Sequence, residues 1–109
     1  MQDPYPHPEL TAVTLAEALA ALADPVRLRI LCALSCGAER GWGDFDLPIA
    51  PSTLSHHLKV LRGAGLVCQR RQGTRCQVML RSEFEVRFPG LLHAVLRQAQ
   101  TSPEVDPRP

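Results

Sequence analysis

Apolar residues change their spacing along the chain, and each change marks an element boundary. From about Leu10 to Ala23 the sequence is rich in Ala and Leu, with only Thr11, Thr14 and Glu17 polar. This pattern predicts a helix that is apolar nearly all round and buried on more than one side. Asp24-Pro25 then restarts the chain, with Asp24 suited to the N-cap and Pro25 to the first helical position. The second helix runs to about Cys36 and stops at Gly37, with Leu28, Leu31 and Leu34 inward and Arg27 and Arg29 opening its polar side. Between Ala38 and Leu47, Gly41, Trp42, Gly43 and Phe45 crowd together. At most a short helix fits there, anchored in the core by Trp42 and Phe45.

The stretch Pro51 to Ala64 reads as a clear helix, with Pro51 at its first position and Gly65 just past its end. Leu54, Leu58 and Leu61 share one face of it, with His57 at the edge of that stripe as a packing or orienting residue. Leu66 to Arg71 and Thr74 to Leu80 alternate as two strands of a hairpin joined at Gln72-Gly73. Phe88-Pro89 opens a last helix to about Gln100, whose apolar residues are Leu91, Leu92, Val95, Leu96 and Ala99. The order is helix, helix, short helix, helix, hairpin, helix. That is a winged helix-turn-helix, mostly α with a small β-hairpin wing. Six of the ten prolines lie in the first eight and last seven residues. Residues 1–8 and 102–109 therefore read as loose tails around one domain, 9–101.

Charge changes this picture more than composition does. The net charge of +1 conceals a sharp division. From Leu47 to Ser82 there are six basic residues (Lys59, Arg62, Arg70, Arg71, Arg75 and Arg81), two histidines and no acid. The rest of the chain holds the other six basic residues and all eleven acids. Such asymmetry points to a polyanion partner for one face.

On the Pro51–Ala64 helix, Ser52, Ser55, His56 and Lys59 lie opposite the leucine stripe, with Thr53 and Arg62 beside them. Short donors and one long cation, without an acid, suit the floor of the major groove of double-stranded DNA. Arg70, Arg71 and Arg75 then surround the hairpin tip. Three guanidinium groups there repel one another, and they make sense when a phosphate backbone runs past the tip. A winged-helix module for an acidic protein partner would instead present aromatic or aliphatic anchors on the outward row. An RNA-binding winged helix would need aromatics for base stacking, and the basic stretch has none.

Three blocks in order carry a resemblance: LADPVRLRILCAL (Leu22 to Leu34), STLSHHLKVLRGAGLV (Ser52 to Val67) and RRQGTR (Arg70 to Arg75). Together they resemble the ArsR/SmtB family of bacterial winged-helix repressors, over residues from about 10 to 100. The resemblance implies a homodimer on a palindromic operator, released by a metal, metalloid or redox signal. It also implies that the first and last helices build the dimer, through Leu10, Leu15, Leu19, Leu22, Leu91, Leu92, Val95 and Leu96. Many metal-sensing members carry a Cys-Val-Cys motif where this chain reads AERGWGDFDL (Ala38 to Leu47), without cysteine or histidine. Others use acids and histidines on the last helix, where this chain has only His93 and no acid. No metal site and no cofactor are therefore expected, and the WGDFDL and RFPGLLHAVL blocks resemble a subgroup lacking metal motifs.

Four cysteines remain. Cys32 and Cys36 stand four apart on one helix face, too few to hold zinc or trivalent arsenic alone. Cys32 continues an apolar line, and Cys36 is the more exposed thiol. Cys68 and Cys76 lie on the two wing strands. A two-residue Gln72-Gly73 loop puts them on opposite faces, whereas a three-residue loop would set them directly across from each other. In that second register they would form a redox switch, with the wing arginines favouring the thiolate. Cys68, Cys76 and Cys36 are thus the candidate redox residues, and a thiol-based sensor is the alternative form of the repressor.

No nucleophile-base-orienter trio and no Gly-rich phosphate loop is visible, which argues against an enzyme. The longest apolar stretch, Ala18 to Ala23, is far short of the ~20 residues a membrane span needs. The chain start lacks the basic residue and apolar run of a signal peptide, so reduced thiols in the cytoplasm are expected.

Overall fold

The computed structural model describes residues 5–35, 40–41, 45 and 47–103. The first apolar run is not one helix. A 3-10 turn covers Leu10–Ala12, Val13 and Thr14 are extended, and helix α1 spans Leu15–Leu22. The break is a capping box: the Thr14 hydroxyl accepts from the Glu17 N–H at 3.1 Å, and the Glu17 carboxylate accepts from the Thr14 N–H at 3.0 Å. Helix α1 is also two-sided, with Ala18, Ala21 and Leu22 buried and Leu15 and Leu19 exposed.

Helix α2, Pro25–Leu34, starts as its sequence dictates. The Asp24 carboxylate accepts from Val26 N–H at 2.8 Å and Arg27 N–H at 3.1 Å, and Pro25 fills the first position. The helix buries Ile30, Leu31 and Leu34. Leu28, expected inward, points round the helix into a shallow groove beside Ala94 and Val95. Cys36, Gly37 and Trp42 lie outside the described residues, while Phe45 is half-buried against the core.

Helix α3, Pro51–Gly63, buries Leu54, His57, Leu58 and Leu61. Gly65 ends it at φ +79, and a Cβ there would fall 2.5 Å from a Leu10 methyl. Both the left-handed backbone and the close approach require glycine. Strands β2 (Val67–Gln72) and β3 (Arg75–Leu80) form the wing. Its two-residue turn is Gly73-Thr74 rather than Gln72-Gly73, because Gly73 takes the left-handed first position at φ +64. A further strand that the sequence did not announce, β1 (Arg40–Gly41), pairs with β3, giving the order β1-β3-β2.

A short helix α4 (Glu83–Arg87), also unannounced, drops Phe84 into the centre of the core. Helix α5 (Leu91–Ala99) follows Gly90, whose φ is +79. The α5 residues Leu92 and Leu96 join Ile30, Leu31 and Leu58 in the buried cluster, and Ala99 is buried as well. Residues 5–8, which composition assigned to a loose tail, run against the end of α3 and the outer edge of β2. The architecture is the expected one, mostly helical with a helix-turn-helix and a small antiparallel wing.

Candidate nucleic-acid interface

Burial of the Leu54–Leu58–Leu61 stripe turns the other face of α3 outward. Ser52, Thr53, Ser55, His56 and Lys59 are all exposed there. No side chain caps the helix start, so its first N–H groups remain available beside this row. No acid lies in its first turn. The wing register puts Arg70 and Arg75 on the face that carries Cys68 and Met79, and Arg71 on the face that carries Val67 and Val78. All three arginines are exposed at the tip.

Two other members of the basic stretch are engaged in holding the fold. Arg62, expected beside the outward row, is half-buried and donates from Nε to the Pro6 carbonyl at 3.2 Å. Its Nη1 donates to Gln69 Oε1, and its guanidinium lies 5.5 Å from the centre of the Tyr5 ring. Arg81 donates to the Pro8 carbonyl at 2.8 Å and sits 3.7 Å from Glu83 Oε2. The Gln69 N–H, on the strand edge that β3 does not cover, donates to His7 Nε2 at 3.0 Å. A segment that reads as a tail thus takes up two cations and a stretch of exposed strand edge. The signal for this lies in no local pattern, because the partners are 56 to 73 residues apart.

His57 is buried midway along α3, as its place beside the leucine stripe suggests. Its Nδ1 lies 3.3 Å from Arg27 Nη1 and 4.0 Å from Asp24 Oδ1. Burial alone would raise the Asp24 carboxyl. The Arg27 and Val26 N–H groups and the charges of Arg27 and His57 outweigh it and hold that carboxyl below its ordinary value. Arg27, read as the start of a polar side, is in fact directed inward. An open cavity of about 610 Å³ between α1 and α3 is lined by Glu17, Ala20, Arg27, His56 and Lys59 among others.

The wing cysteines do not meet. Cys68 lies opposite Met79 and Cys76 opposite Arg71, so the two are three register positions apart and on opposite faces. A disulfide between them needs Cα atoms within about 7 Å on one face, which this hairpin does not provide. Burial pushes the Cys68 thiol up, against the Arg81 charge and not the wing-tip arginines, and burial likewise raises Cys32. Cys76 takes a contact from Gln69 Nε2 at 3.4 Å. The Cys32–Cys36 alternative involves a residue outside the described set. Among the described residues, no group of three or more His, Cys, Asp or Glu is placed to hold a metal ion, and no helix is long and apolar enough to cross a membrane.

Of the eight leucine and valine positions assigned to a dimer face, Leu15 and Leu19 are exposed at 51% and 45%. Leu10, Leu91 and Val95 are half-buried. Leu22, Leu92 and Leu96 are already covered by the subunit's own core, so they offer a partner little.

Residues 24–68, which span α2, α3 and the start of the wing, match the family model for bacterial regulatory proteins of the arsR family. The chain is similar to the biofilm growth-associated repressor of Agrobacterium fabrum, with 36% identity over 94 residues, 84% of this chain and 80% of that one. It is also 36% identical to the HTH-type transcriptional regulator CmtR of Mycobacterium tuberculosis, over 85% of this chain and 80% of that one. Among solved structures it resembles HlyU of Vibrio cholerae, with a TM-score of 0.64 and 33% identity over 76% of this chain and 88% of that one.

Proposed function

Since the chain belongs to the arsR family of bacterial DNA-binding transcriptional regulators, and is not an enzyme, we propose that it works as a homodimeric repressor on a palindromic operator. In this reading α3 lies in the major groove, with Ser52, Thr53, Ser55, His56 and Lys59 toward base edges, and the wing-tip Arg70, Arg71 and Arg75 follow the phosphates. The observation that carries it is the division of α3 itself: one face buried by Leu54, Leu58 and Leu61, the other a continuous exposed row of donors without an acid. A docking face for protein would show apolar anchors there. Arg62 is withdrawn from the contact set, because its donors are directed to Pro6 and Gln69.

The dimer reading now rests on the exposed Leu15 and Leu19 of α1 and the half-buried Leu10, Leu91 and Val95. The Agrobacterium relative is named a repressor, which favours repression over activation. Such a role places the protein with the bacterial DNA, in the cytoplasm. Selection of bound fragments from genomic DNA, followed by footprinting, tests the proposal. It predicts one protected inverted repeat with half-sites about 34–36 Å apart, or a multiple of that. Retention of all fragments alike would overturn it.

A further inference from the structure

Three elements meet at Arg27. Its Nε donates to the Ala21 carbonyl at 2.7 Å and its Nη2 to the Ala20 carbonyl at 3.2 Å. The guanidinium thereby engages two carbonyls of the last turn of α1, of which that of Ala20 also accepts the Ala23 N–H at 3.2 Å. Its Nη1 reaches His57 Nδ1, on α3, at 3.3 Å. A guanidinium has only donors, so this hydrogen bond requires a lone pair on Nδ1 and the ring proton on Nε2. The same Nδ1 has a carboxylate oxygen, Asp24 Oδ1, 4.0 Å away. One ring nitrogen therefore faces a donor from one partner and an acceptor from another, and its proton decides which it bonds.

We propose that Arg27 and His57 form a polar clamp that fixes α3 against the end of α1, and that protonation of His57 opens it and weakens operator binding. The proposal rests on the reading of α3 as the base-reading helix. Both are positioning residues, directed inward and away from the row that meets DNA. With a proton on Nδ1, His57 and Arg27 present two donors and like charges, and His57 turns to Asp24. The Leu54, Leu58 and Leu61 contacts keep α3 docked, while its tie to the α1 carbonyls through Arg27 is exchanged for one to Asp24, which shifts the helix in its seat. Of the other charged groups nearby, Asp24 Oδ2 lies 4.0 Å from Arg27 Nη1 and Lys59 lines the same cavity as Arg27, and neither gives Arg27 an acceptor on α3 in place of His57. His56, on the same helix, has its ring centre 5.9 Å from that of His57 and carries no acceptor charge. Glu17 of α1 lines the same cavity as Arg27, but its carboxylate is engaged by the Thr14 N–H.

Operator affinity at constant salt, from about pH 8 to about pH 5.5, tests the clamp, since imidazoles titrate in this range. His56 is a second histidine, exposed on the outward row of the same helix, so the comparison is made in a His56→Asn background. There, affinity should fall roughly tenfold on acidification, the size of an ordinary coupling between sites. Adding His57→Asn, which keeps an acceptor near the Nδ1 position and does not titrate, should preserve the affinity seen at pH 8 and flatten the profile. Identical profiles with and without His57→Asn would overturn the clamp. Long-range 1H–15N NMR of the free wild-type protein at pH 8 provides the second readout. The neutral Nε2–H tautomer of His57 is expected, and the Nδ1–H tautomer would overturn the clamp. A chain that selects no DNA sequence overturns the reading of α3, whereas the tautomer decides the clamp without any DNA.

Discussion

Arg62, in the last turn of α3, hydrogen-bonds the carbonyl of Pro6, 56 residues earlier in the chain. A cation counted with the DNA-facing charge is thus part of the fold. Arg62→Ala should lower stability by about 1–2 kcal/mol, or several degrees in melting temperature, through the lost bonds to Pro6 and Gln69. The salt dependence of DNA binding should stay unchanged. A salt slope reduced by about one unit would return Arg62 to the phosphate contacts.

Asp24 links pH to stability. Its carboxyl titrates lower in the folded chain than in the unfolded one. Its contribution is therefore complete above the ordinary carboxylate range and is lost as pH falls through the depressed folded value. Asp24→Asn retains a capping oxygen but no charge, so its melting temperature should differ less from wild type in acid than at neutral pH. Asp24→Ala, which removes the cap as well, should cost about 1 kcal/mol more. A constant gap between wild type and Asp24→Asn across pH 2–7 would contradict the assignment.

What the sequence made legible acts over short range. Asp24-Pro25, Pro51 and Gly65 each set a helix boundary within three residues of themselves, and each boundary stands where these residues place it. The Thr14–Glu17 capping box was equally local and readable, but the run of alanines and leucines around it masked the break. The wing turn slipped by one residue because Gly73 can serve as either turn position, and only the pairing of Gln72 with Arg75 decides. The outward row of α3 followed directly from helical periodicity. The strap of Tyr5 to Pro8 and the contact of Arg27 with His57 join residues 30 or more apart, where no periodic signal operates.

Oxidation should leave the wing open. After treatment with a thiol oxidant, peptide mass mapping should find no Cys68–Cys76 link, because the register holds the two on opposite faces. A stoichiometric Cys68–Cys76 cross-link with DNA binding lost would restore the redox form of the repressor.

Leu19 is 45% exposed on α1, the helix assigned to the dimer. Light scattering should give about twice the 12.0 kDa chain mass for the wild type. Leu19→Glu would place a charge in that interface, so the mass should fall to one chain with little loss of subunit folding. A wild-type mass of 12.0 kDa at micromolar concentration would rule out the dimer.

Base reading is proposed for α3 and phosphate contact for the wing. The most direct test measures the affinity of His56→Ala and Arg75→Ala for the selected operator and for random DNA, across a salt series. His56→Ala should cost about 1–3 kcal/mol on the operator and little on random DNA. Arg75→Ala should weaken both by similar factors and reduce the salt slope by about one unit. Equal losses on both DNAs for His56→Ala would contradict base readout by this face and leave α3 a backbone clamp, with specificity drawn from DNA shape.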